Sequence, residues 1–219
     1  MKKFPSMIII PLSSKTRAFA IASAVKALKR GEVVAFPTET VYGIGCDAKN
    51  VKAVKRLFAI KGRDEKKPIQ LIAGSMKQAT SIAALNCFEE KIAKVCWPGP
   101  LTLLTHLKKG KTLASRVNPK RVIGIRVTSD RFLQECILAF GSPIAATSAN
   151  QSGKIPASSG KGVVRAFKNV NTSTRVSSHT RPDLLIDAGA RPRRKPTTVV
   201  RISDAGVIEI VRQGGIRIS

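Results

Sequence analysis

The strongest constraint on this chain is how its apolar residues are parcelled. They fall into short runs: VVAF at 33–36, IQLIA at 69–73, LTLLTHL at 101–107, VIGIRV at 122–127, PIAA at 143–146, LLI at 184–186 and TVVRI at 198–202. Runs of that length, bounded by Gly, Pro, Ser and Thr, are strand-sized. Segments with helical periodicity alternate with them. Phe19, Ile21, Ala22, Val25 and Leu28 recur at helical spacing between Thr16 and Arg30, and Gly31 closes that segment. Val51, Val54, Leu57 and Phe58 share one face of a second helix over 50–60, with Asn50 as its N-cap. Ser75 is placed to cap a further helix, and others are expected over 88–96, 131–140 and 160–167. Trp97-Pro98-Gly99-Pro100 ends the first of these three and Gly141 the second. Val207–Val211 forms a hairpin with Thr198–Ile202 around Asp204-Ala205-Gly206, and the Ser/Thr-rich stretch 169–181 reads as loop. Strands and helices alternate early and strands cluster late. The expected fold class is therefore α/β, a single domain with a mixed parallel/antiparallel sheet and flanking helices.

A chain of 219 residues buries roughly 70% of its unfolded surface, so it needs no disulfide or metal staple. Cys46, Cys87, Cys96 and Cys136 form no CxxC pair, and His106 and His179 are the only histidines. No protein metal site is expected, and free thiols point to a reducing compartment. No run of 18 apolar residues occurs, which excludes a membrane-spanning helix. The opening MKKFPSMIIIPLSS is broken by Pro5 and Pro11 and lacks a small-residue cleavage site, so the chain is expected to be cytoplasmic, with no membrane partner. Lys and Arg number 39 against 13 Asp and Glu, a net charge of +26. Such a surface is either solvated or matched to polyanions, with RNA, nucleotides and anionic membrane as candidates. Aromatic residues are only 5%, so any RNA contact would be to phosphates or helix shape rather than to stacked bases. Arg191, Arg193, Arg194 and Lys195 form the one local concentration of charge.

Three polar clusters follow apolar strands, where an open α/β sheet binds ligands. Pro37-Thr38-Glu39-Thr40-Val41-Tyr42-Gly43 offers hydroxyls beside a glycine, as a small polar ligand or an ordinary strand-to-helix turn would require. Lys61-Gly62-Arg63 ends a helix, where the cations either complement its dipole or grip a triphosphate, Lys as a point charge and Arg as a fork. Thr147-Ser148-Ala149-Asn150 puts Ser148 and Asn150 on one face if extended. Neither a GxSxG elbow nor a GxxxxGK[ST] loop is present.

Together these segments resemble one family. PTETVYGIGCDA, KGR, WPGPLTLL, GIRV, TSANQSG and TTVVRI…VRQG stand in the order of the YrdC-like family, in its bacterial single-domain threonylcarbamoyl-AMP synthase branch. The resemblance spans about residues 16–214, leaving 1–15 as an N-terminal extension and 215–219 as a tail. It implies a twisted mixed sheet around a deep basic cavity. The implied reaction joins L-threonine, bicarbonate and ATP into L-threonylcarbamoyl-AMP and releases pyrophosphate, with Mg²⁺ arriving with ATP. The implied next partner is a transferase complex that modifies tRNAs reading ANN codons. Carried onto this sequence, the phosphate-binding residues are Lys61, Arg63, Lys67, Ser148, Asn150 and Arg212, with Lys61 and Arg63 catalytic. Thr38, Thr40, Arg126, Thr197 and Thr198 would bind threonine. Departures from the family pattern are Asp64 in place of a proline, Lys67 and Ile72 in place of an asparagine and a histidine, Thr128-Ser129-Asp130 in place of a PxH, and Thr197 in place of a serine.

No nucleophile is needed, because catalysis would be positioning and electrostatic stabilisation by Lys61, Arg63 and Arg212. Glu39 is either a turn-capping carboxylate or a participant in Mg²⁺ binding or proton removal. Truncating Lys61 or Arg63, as surface cations, should cost about 0.5 kcal/mol or less of stability. The basic run at 191–195 is expected to lie outside the nucleotide site. The rival reading is a non-enzymatic protein that holds tRNA or double-stranded RNA by charge.

Overall fold

Short polar side chains set where most of the helices begin. Asn50, Ser75, Asn86, Asp130 and Ser159 each accept a hydrogen bond from the backbone N–H three residues on, satisfying a donor the helix cannot use itself. The computed structural model describes residues 7–64, 68–117, 119–167, 180–192 and 194–218. Helices are α1 (Arg17–Lys29), α2 (Val51–Lys61), α3 (Met76–Thr80), α4 (Cys87–Cys96), α5 (Arg131–Phe140) and α6 (Gly160–Ala166). Strands are β1 (Ile8–Pro11), β2 (Val34–Phe36), β3 (Gly43–Asp47), β4 (Gln70–Ala73), β5 (Ala83–Ala84), β6 (Leu101–Leu107), β7 (Val122–Val127), β8 (Ile144–Ser148), β9 (Leu184–Asp187), β10 (Thr198–Ile202) and β11 (Ile208–Arg212). Among the described residues no helix is long and apolar enough to cross a membrane.

One mixed sheet runs in the order β1-β9-β2-β3-β8-β4-β7-β6-β10-β11, with β5 on β6. Parallel pairs (β1/β9, β2/β9, β4/β7, β6/β10) are mixed with antiparallel ones (β2/β3, β3/β8, β4/β8, β6/β7, β10/β11). Three expectations need correction. The segment before Thr16 is not a mere extension, because Ile8–Pro11 pairs with β9. The PTET turn joins two antiparallel strands, not a strand and a helix. The tail is held at Ile216, whose carbonyl accepts from Thr198 Oγ1 at 2.7 Å. Most of the expected loop 169–181 lies outside the described residues.

Strand residues alternate between two cores, as period-two geometry requires. Ala35, Leu71, Ala73, Ala145 and Leu185 face α2, α4 and α6, whereas Val34, Phe36, Ile72, Ile144, Leu184 and Ile186 face α1 and α5. The second core stops near β4: no residue of β7, β6 or β10 belongs to it. On that face half of the sheet is left without a helical cover. The cavity described next lies there.

Candidate active site

A cavity of about 760 Å³ opens on the uncovered sheet face. Its floor is made by the residues that alternate away from the first core: Gln70 and Ile72 of β4, Gly124 and Arg126 of β7, Thr102 and Leu104 of β6, and Val199 of β10. Four arginines line it (Arg63, Arg126, Arg194 and Arg212) and, among the described residues, no carboxylate does. A floor of mixed apolar and hydroxyl-bearing side chains with arginines around it suits a ligand that carries both apolar surface and negative charge.

The PTET turn forms one wall. Thr38 Oγ1 donates to the Val41 carbonyl at 2.6 Å and accepts from Thr40 N at 3.1 Å, so this hydroxyl builds the turn. Thr38 and Thr40 hydroxyls lie 3.0 Å apart, and both residues line the cavity. The β3 strand that follows approaches β8 closely: a side chain at Gly45 would sit 2.7 Å from the Ala145 carbonyl oxygen. Glu39 is not a solvated cap. It pairs with Arg126 and accepts from Thr128 Oγ1 at 2.7 Å. Both partners are buried (side chains 3% and 8% exposed), so Glu39 holds the Arg126 fork in place from behind.

Lys61 is not a surface cation, contrary to expectation. It is 3% exposed, and its ammonium donates to the Ser148 carbonyl (2.8 Å), Ser148 Oγ (3.0 Å) and Asn150 Oδ1 (2.5 Å). Burial, and then neighbouring Arg63, push its pKa down to about 7. Ser148 Oγ donates to Asn150 Oδ1 at 2.6 Å, so the end of α2 and the end of β8 form one knot. Ser148 lines the cavity, with Lys61 and Asn150 behind it. Gly62, at φ 57°, turns the chain so that Arg63 reaches the wall. Arg63 donates to the Pro68 carbonyl at 3.1 Å. Burial lowers the pKa of both Arg63 and Arg212, and Arg63 lowers that of Arg212 further. Lys61, Arg63 and Arg212 thus form a row of mutually repelling cations, which an anion would relieve.

On the opposite wall, Arg212 donates to the Thr197 carbonyl (2.9 and 3.1 Å) and to Thr197 Oγ1 (2.9 Å). Thr197 Oγ1 lies 3.0 Å from Thr102 Oγ1, which donates to Gln70 Oε1 at 3.1 Å. Thr198 points elsewhere: its hydroxyl accepts from Gly214 N and holds the C-terminal segment, and it does not line the cavity. Thr102 and Gln70 escaped the sequence reading, although the alternation of Leu101 and Leu103 would have put Thr102 on the other face. Lys67 and Arg193 lie outside the described residues. The basic run is not remote, because Arg194 lines the cavity and its N–H meets the Thr40 carbonyl at 3.4 Å.

The family profile described as "Telomere recombination", grouping Sua5, YciO and YrdC proteins, matches residues 26–214. The chain belongs to this family. A protein of Chromohalobacter salexigens named threonylcarbamoyl-AMP synthase is 35% identical over 76% of this chain and 91% of its own length. A mouse protein of the same name is 31% identical over 89% of this chain and 67% of its own. The crystal structure of P. abyssi Sua5 complexed with L-threonine superposes with a TM-score of 0.80 at 29% identity, covering 96% of this chain. The chain spans 58% of that Sua5 chain's length.

Proposed function

We propose that the chain synthesises L-threonylcarbamoyl-AMP from L-threonine, bicarbonate and ATP, acting as a nucleotidyltransferase. The observation that carries this reading is the cavity with four arginines, no carboxylate among the described residues and a floor of apolar and hydroxyl-bearing side chains. The relatives that bear the synthase name and the threonine complex of Sua5 support it. The threonine amine attacks the carbon of bicarbonate or CO₂, with loss of the bicarbonate oxygen as water. The carbamate oxygen then attacks the α-phosphorus and pyrophosphate leaves in line. Arg63 and Arg212 would hold the phosphates, while Lys61 fixes Ser148 and adds charge from behind. Arg126, oriented by Glu39, would take the threonine carboxylate, with Thr40 and Thr197 offering hydroxyls to the side chain.

Mg²⁺ would enter as part of the ATP substrate. Among the described residues no group of three metal-ligating side chains exists, and both Glu39 oxygens are occupied. The product, an acyl adenylate, requires a downstream transferase, which is read as acting on tRNA in the cytoplasm. A purely RNA-binding role is not favoured, because it gives the arginines gathered around the cavity no ligand. Pyrophosphate release that requires ATP, threonine and bicarbonate together is the test. RNA binding without that release would support the rival.

A further inference from the structure

A second cavity, of about 410 Å³, adjoins the first. Thr38 and Arg194 line both. The remaining wall comes from Leu12, the first turns of α1 and α5, and the segment Arg191–Pro192. Of the family motifs only the PTET turn reaches it, through Thr38 and Glu39.

Its charge is unbalanced. Arg17, Arg131, Arg191 and Arg194 line it. Asp130 is spent on Arg191 and on capping α5 at Leu133 N. Glu135 is shared by Arg17 at 2.8 Å and Arg131 at 3.3 Å. Glu39, which also lines this space, is neutralised by Arg126. The described residues give the Arg194 guanidinium no ion pair, so a surplus of two positive charges faces this space. Arg17 Nη2 is buried without a hydrogen-bond partner. Alone among the helices, α1 has no side-chain cap, so its first-turn N–H groups add to the same imbalance.

We propose that this cavity binds a multiply charged phosphate anion of the size of inorganic pyrophosphate, at a site separate from the adenylate-forming one. A singly charged anion would leave half of the surplus uncompensated. A nucleotide base finds no platform, because Arg17 covers the one aromatic ring, Phe132, at 5.9 Å from its centroid. Paired guanidinium forks match phosphate oxygens in both geometry and charge.

The test is calorimetric titration with inorganic pyrophosphate alone, so it does not depend on the catalytic reading. The wild-type chain should bind a second equivalent beyond the one in the main cavity. Arg63→Ala/Arg212→Ala should abolish only the main-cavity equivalent. Arg17→Gln/Arg131→Ala should weaken the other by about tenfold or more, since charge-assisted hydrogen bonds are lost. Arg131→Ala alone, at a side chain 87% exposed, serves if the double variant fails to fold, with an expected weakening of about threefold. A single equivalent in the wild-type chain, or a second one unmoved by the folded Arg17/Arg131 variants, would overturn the proposal.

Discussion

Replacing Lys61 by Met separates what this side chain does for the fold from what it does for chemistry. In the folded chain its ammonium is held at a pKa of about 7, against an ordinary 10.5. A cation whose folded pKa is depressed destabilises the fold fully below about pH 7. That destabilisation is relieved as the pH rises toward 10.5, because the unfolded chain binds more protons in this window. The expected gain is about 1.4 kcal/mol per pH unit, hence roughly 3 kcal/mol between pH 7 and 9. Methionine fills a similar volume and removes this dependence. Against this relief stands one lost set of hydrogen bonds: the Ser148 carbonyl loses its ammonium partner, while Ser148 Oγ and Asn150 Oδ1 keep each other at 2.6 Å. That loss is about 1–3 kcal/mol, so at pH 7 Lys61→Met should be no less stable than wild type by more than about 2 kcal/mol. Turnover should nonetheless fall on the order of 10²–10³, the effect of losing one preorganised charge. Urea denaturation at pH 7 and 9, for both chains, measures the first part, and pyrophosphate release the second. An equal pH slope in the two chains, or turnover retained in Lys61→Met, would refute the reasoning.

Arg126→Met should destabilise the chain by about 3–5 kcal/mol, because Glu39 is left as an unpaired buried charge, and Arg126→Met/Glu39→Gln should recover most of this in thermal or urea unfolding. Thr198→Val should lower stability by about 1–3 kcal/mol through release of the C-terminal segment, yet leave the threonine KM unchanged, whereas Thr197→Val should raise that KM. Of substrate analogues, 2-aminobutyrate, lacking the hydroxyl, should lose up to about 10⁴-fold in kcat/KM and serine only about 10–200-fold. The opposite order would show that the cavity hydroxyls do not read the threonine side chain.

The elements with capped starts and short apolar runs were legible. The strands over 101–107 and 122–127 and the helix over 131–140 match the expected bounds, because local periodicity and Gly or Pro stops coincide there. The missed strands were hidden for different reasons. β3 reads GIGCD, whose glycines are there for close approach to Phe36 and β8 rather than for strand propensity. β1 has a β-branched run, Ile8-Ile9-Ile10, but sits among prolines near the start of the chain, and its partner β9 is remote in sequence. At the site, the order of motifs pointed to segments that line the cavity, but not to the place of each side chain in it. Lys61 at a helix end looks exposed until β8 is packed over it. Thr197 and Thr198 look equivalent until strand alternation sends one to the cavity and the other to the C-terminal segment. The basic run at 191–194 carries no periodicity, so nothing local showed that Arg194 reaches the cavity wall.

The most direct test follows the carbon atom. The chain is incubated with ATP, L-threonine and ¹³C-bicarbonate, and the nucleotide products are resolved by mass spectrometry. The prediction is a threonylcarbamoyl adenylate that carries the label, formed one-for-one with pyrophosphate and absent when threonine is omitted. An unlabelled adenylate, or pyrophosphate release that persists without threonine, would contradict the account.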